Sequence, residues 1–186
     1  MPEGISEFWR KNTSNIEAIE LANLLRALRK VAGHQGSNVG VIEYTGMSQG
    51  GDAKIVIEPA LVTGQYPVSP DKVDMLVGLV THEALHQVEW SDHVWKILEP
   101  AFSEMGGLAR VGFQKMINIG EDIYIDAIAD QKIFGLYVAI TRKEVMAAAE
   151  AKLRTDVLSV DKLITQLEII MSKLLSSKPS LSSCSI

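Results

Sequence analysis

"GLVTHEALHQVEW", residues 78–90, sets two histidines and a glutamate in the order H-E-x-x-H: His82, Glu83 and His86. Residues four apart share one face of an α-helix. A helix through this stretch therefore aims both imidazoles at one point. Zinc accepts His nitrogens at about 2.0–2.1 Å and, where it is catalytic, keeps one position for water. Glu83, beside the first histidine, can take a proton from that water. Upstream, Ser69-Pro70-Asp71 offers an N-cap followed by a proline suited to the first helical position. Val73, Leu76, Val77, Leu79 and Val80 give the helix an apolar body. We expect it to run from 70 to about 90. Unpartnered His and Glu side chains on so apolar a helix would be costly, which favours a metal centre over two core histidines.

A catalytic zinc usually takes three protein ligands. His93 lies seven residues past His86, whereas the extended metzincin pattern wants a histidine six past, after a glycine turn. Glu89 stands where that glycine would be, and Asp92 where the histidine would be. Asp92 could serve as ligand only through a sharp turn. His34, in a Gly-rich stretch, reads as a solvated loop residue. The better source is "MINIGEDIYIDAIAD", residues 116–130. An acidic cluster inside an apolar helix needs partners. Its plainer reading is a solvated acidic stripe that includes Asp130. As a ligand source, Asp122 and Asp126 lie four apart, so one can bind metal while the other orients a ligand histidine. Glu121 shares its face with Ile117, Tyr124, Ile125 and Ile128 and would point inward, which makes it the alternate third ligand. Asp122 shares its face with Asn118, Ile119, Asp126 and Ala129, which leaves room for histidines of a crossing helix. We expect Asp122 as the ligand and Asp126 as the orienting partner.

The rest of the chain bounds this reading. Its 186 residues, 47% hydrophobic and 22% charged, suit one globular domain. The net charge of −5 and the lack of a Lys/Arg block give no nucleic-acid footprint. No apolar run reaches the roughly 20 residues of a membrane span, and "MPEGISEFWRKN" lacks the apolar centre of a signal peptide. Cys184 is the only cysteine, so no disulfide can form within the chain, and a cytoplasmic location is expected. Ile16, Ile19, Leu24, Leu28 and Val31 predict a helix over 15–32, with Gly33 as its stop. "VGVIEYTGMSQGGDAKIVIEPALV", residues 39–62, holds two β-rich runs around a Gly-Gly-Asp turn and reads as a hairpin, with Ile55 and Ile57 on its buried face. Pro100 and Gly106-Gly107 read as breaks before helical runs over about 108–135 and 141–176. The second run carries a stripe of Val145, Leu153, Leu158, Leu163, Leu167 and Ile170. Residues 1–176 are read as one domain and 177–186 as a disordered tail.

The combination of HEALHQVEWSD with Asn118, Glu121, Asp122, Ile125 and Asp126 about 30 residues later resembles a known family. It is similar to the zincin-type metallopeptidase region that precedes a von Willebrand factor A-type domain in cobaltochelatase-like bacterial and phage proteins. The segment "IVIEPALV", residues 55–62, resembles the strand those proteins place before the motif helix, and the likeness covers roughly residues 40–135. No von Willebrand segment follows within the 186 residues. The spacing also resembles that of gluzincins, in which an acidic ligand is followed four residues later by an aspartate; position 122 fits this and position 121 does not.

The resemblance implies an α+β, mostly helical, zincin-like fold with a small sheet or β-hairpin beside the active-site helix. It implies a zinc-dependent peptidase with His82, His86 and Asp122 on the metal, Asp126 behind a histidine and Glu83 as general base. A peptide or protein is then the substrate, and the edge strand around 54–58 could pair with it. The rival from another class is a non-catalytic, metal-stabilised interaction module of a phage or bacterial chelatase-like system.

Overall fold

The computed structural model describes residues 14–37, 39, 41–44, 49–51, 54–64, 66–89, 91–155 and 169. The expected tail and most of the stripe after Val145 lie outside the described residues; Val145 itself is 47% exposed. Helix α1 (Asn15–Gln35) starts at Ser14, whose hydroxyl accepts the Glu17 N–H. It buries Leu21, Leu24, Leu28 and Ala32, spaced three or four apart. Ile16 and Ile19, expected on that face, are exposed, because the stripe that meets the core is offset from them around the helix. The helix passes through Gly33, so His34 is an exposed residue of its last turn and not of a loop.

Strands β1 (Val41–Glu43), β2 (Gln49–Gly51) and β3 (Lys54–Val56) form a sheet in the order β1-β3-β2. β2 and β3 pair antiparallel, Gln49 opposite Val56 and Gly51 opposite Lys54, as the two arms of a hairpin. The expected first arm, the Val41–Glu43 run, instead pairs with β3 in parallel. This corrects two expectations. The hairpin arm is the Gly-rich segment, which takes up strand geometry through its pairing with β3 despite weak β-propensity. And β3 is the central strand, hydrogen-bonded on both sides, so it offers no edge to a peptide. Ile55 and Ile57 are buried, as their alternation predicts. The strand-like segment 55–62 also ends early, because Pro59–Val62 forms a short helix, α2, begun by the proline.

Helix α3 (Pro70–Val88) carries the H-E-x-x-H stretch, with Ser69 as N-cap and Pro70 in its first turn. Its buried residues face two cores. Leu76, Val80 and Ala84 join α1, Ile55, Ile57 and Val62, whereas Leu85 joins Ile125, Ala129 and Val138. The second core comes from α5 (Gly107–Ala129) and α6 (Gly135–Thr155), preceded by α4 (Ser91–Glu104). Pro100 does not break the chain; it sits inside α4. A proline there removes one backbone N–H and its i→i−4 bond; the helix nonetheless continues past it, and Phe102, two residues on, is buried. The run expected over 108–135 ends at Ala129, and a turn over 130–134 reverses the chain into α6.

α3 and α6 cross at Gly78. A Cβ at that position would collide with the Tyr137 carbonyl oxygen and with Thr141 Oγ1. Thr141, itself buried, donates across the crossing to the Met75 carbonyl at 2.8 Å. Gly78→Ala is therefore expected to lower stability by about 1–3 kcal/mol, as overpacked cores do, despite the better helix propensity of alanine. Thermal or urea unfolding checks this, and an unchanged or raised midpoint would show that the crossing is not tight.

Candidate metal centre

α3 and α5 meet along one line of polar side chains in an otherwise apolar contact. His82 and His86, one turn apart on α3, turn their Nε2 atoms toward each other at 3.1 Å. Asp122, from α5, brings Oδ1 to 3.4 Å from His82 Nε2 and 3.3 Å from His86 Nε2. These three residues form a group whose donor atoms all lie within 4.8 Å of one another. Donors on a tetrahedral zinc, each about 2.0–2.2 Å from the ion, stand roughly 3.2–3.6 Å apart, so the triangle fits zinc. The chemistry fits as well. Two ring nitrogens facing each other at this distance cannot both keep a lone pair, or both keep a proton, without repulsion. A shared cation or a shared proton relieves it.

The outward nitrogens of both rings are held by carboxylates. Asp126 Oδ1 lies 3.0 Å from His82 Nδ1, and Arg142 of α6 donates to Asp126 Oδ2 at 2.7 Å. Glu121 Oε1 lies 3.2 Å from His86 Nδ1, and the Trp95 indole N–H of α4 donates to Glu121 Oε2 at 2.8 Å. Ser91 Oγ is 3.0 Å from the same His86 nitrogen. A histidine whose Nδ1–H is held in this way presents Nε2 as the donor, the arrangement ligating histidines usually have.

The structure thus brings Asp122 to the Nε2 side, where a cation would sit, and Asp126 behind His82. The alternate ligand Glu121 lies on the opposite side of the His86 ring, with both carboxylate oxygens engaged. His93 is exposed on α4 and His34 packs edge-on against Phe134, 5.3 Å between ring centres; neither belongs to the group. The side chain of Asp92 lies outside the described residues. Sequence reasoning missed Arg142, Trp95 and Ser91. Their only advance signal was that a buried carboxylate demands a donor.

The charges of the cluster balance one another. Burial alone would lower the pKa of His86, but the hydrogen bonds that its ring donates to Asp122 and Glu121 outweigh it and raise it to about 9. His82 is raised for the same reason, by Asp122 and Asp126 against its own burial. Burial pushes Asp122 up, yet the two histidines hold its carboxyl well below the usual carboxylate range. Without metal, protons on the imidazoles supply the positive charge that the carboxylates require. Glu83 has no hydrogen-bond partner among the described residues, and its pKa is raised, by burial first and then by Asp122 and Glu121, against the pull of the histidines.

No protein-family model matches the chain, and comparison with curated proteins and with solved structures returns no match. The centre therefore stands on its own geometry. Among the described residues, no helix is long and apolar enough to cross a membrane.

Proposed function

We propose that the chain is a zinc-dependent peptidase of the zincin type, acting in the cytoplasm on a peptide or protein substrate. The observation that carries this reading is the three-donor triangle of His82, His86 and Asp122, with the half-buried Glu83 next to His82 in the chain and hydrogen-bonded to none of the described residues. Zinc bound there would supply a Lewis acid and acidify water toward a pKa of about 7. The protein's part follows from its own residues. His82 and His86 would hold the ion through their ring nitrogens, and Asp122 through a carboxylate oxygen. Asp126 and Glu121 fix the two rings. Glu83 accepts a proton from the attacking water at a carboxylate oxygen and passes it to the leaving amine nitrogen, so that one water is added across the peptide bond. An extended substrate would pair with an edge of the sheet. β2 is the edge that packs on α3, the helix of the motif.

A metal held only for stability, as in an interaction module, is usually enclosed by four protein ligands. The described residues supply a group of three, which favours the catalytic reading. The test is cleavage of a library of unstructured peptides, read by mass spectrometry. Cleavage is expected with zinc, lost on chelation and restored by added zinc. No cleavage by the zinc-loaded protein, or cleavage indifferent to chelation, would overturn the proposal.

A further inference from the structure

We propose that Trp95 and Ser91 are positioning residues of the metal centre, which through Glu121 fix the ring of His86 and so couple the docking of α4 to metal binding. This rests on the metal-centre reading above. Glu121 is only 12% exposed in its side chain, and each of its oxygens has a donor. His86 Nδ1 meets Oε1, and the Trp95 indole N–H meets Oε2 at 2.8 Å. Ser91 also hydrogen-bonds Glu121 and stands 3.0 Å from His86 Nδ1. An indole has a single N–H donor, so the aim of the ring decides whether Glu121 is satisfied. That aim is set by packing. Trp95 lies 5.6 Å from the ring of buried Phe102, and Phe102 lies 5.8 Å from Phe113 of α5. Two donors on α4 thus hold the carboxylate that orients a ligand on α3.

A neutral histidine that gives Nε2 to a metal has one proton, on Nδ1. An ionised acceptor held in place keeps that tautomer and that ring angle. If α4 moves, Glu121 loses two donors and His86 loses its fixed orientation. The coupling is reciprocal: metal on His86 favours the ring position that docks α4.

The test is zinc titration by competition with a chelating dye, with thermal melting of the metal-free proteins alongside. Trp95→Phe keeps an aromatic ring against Phe102 and removes the N–H. It is expected to weaken zinc binding about tenfold, the lower end for partners that orient ligands. Glu121→Gln is expected to weaken it about 10–100-fold. Because Trp95 acts through Glu121, the double variant should bind no more weakly than Glu121→Gln. A merely structural tryptophan would lower the metal-free melting temperature and leave zinc affinity at the parental value; that result, or losses that simply multiply in the double variant, would overturn the inference. Should Trp95→Phe fail to fold, Ser91→Ala carries the test, with an expected loss of about fivefold for one hydrogen bond and parental affinity as the contrary result. A parent chain that takes up no zinc would fail the metal reading and this inference together. Parental affinity in the variants, against a parent that binds zinc, fails this inference alone.

Discussion

His86→Ala is expected to cut zinc affinity by on the order of 10²–10³-fold. Structural zinc sites bind with about 10–16 kcal/mol shared among four ligands, about 2.5–4 kcal/mol each, and each 1.4 kcal/mol is about tenfold. His86 gives Nε2 to the donor triangle, so alanine removes one of its three corners. Glu121 and Asp122, which accept hydrogen bonds from the ring, each lose that partner as well. The pH dependence follows from the same contacts. Without metal, the folded-state pKa of His86 lies at about 9, above its unfolded value of 6.5. Protonated His86 therefore stabilises the metal-free fold fully below pH 6.5, and this contribution fades as pH rises through about 9. Alanine should lower the metal-free melting temperature at pH 6 more than at pH 10. Zinc affinity of the parent should rise over the same range, because zinc must displace those protons. Calorimetry at several pH values, and melting with and without zinc, check both parts. A variant that binds zinc like the parent would remove His86 from the centre.

Glu83→Gln is expected to retain zinc within a few-fold and to slow peptide cleavage by about 10²–10⁴, the usual contribution of a positioned general base. The amide is close in size and shape to the carboxylate, so packing on α3 is preserved. It cannot take a proton from water near neutrality. The result separates two roles. If Glu83 held metal, zinc would be lost along with activity; if it only filled space, neither would change. Activity lost with zinc kept places it at the proton transfer, and parental cleavage rates in the variant would exclude it as the base.

What the sequence reveals about the centre divides along covalent distance. The pair His82–His86 and the pair Asp122–Asp126 are each one helical turn apart, so helix geometry alone sets them on one face. That periodicity also separated Asp122 from Glu121, whose neighbours differ although the two residues are adjacent. The donors that complete the cluster could not be read in this way. Trp95 meets Glu121 and Arg142 meets Asp126 only because α4 and α6 pack where they do. Nothing local in "SDHVWKILEP" or "AITRKEV" specifies those crossings. The sheet follows the same rule. Ile55 and Ile57 were legible as a buried strand face, but alternation does not say which run lies beside them. The Val41–Glu43 run took the parallel side, and a Gly-rich segment with little strand character took the other. α4 is not legible in the sequence because Pro100 carries a strong local signal for ending a helix, whereas the burial of Phe102 in the same helix is a tertiary fact.

A crystal structure of the zinc-soaked protein, with anomalous data collected at the zinc edge, bears most directly on the central claim. It should show one zinc bound by Nε2 of His82, Nε2 of His86 and a carboxylate oxygen of Asp122, each at about 2.0–2.2 Å, with Glu121 still on His86 Nδ1. No zinc at those three atoms, or Glu121 on the metal with Asp122 turned away, would contradict it.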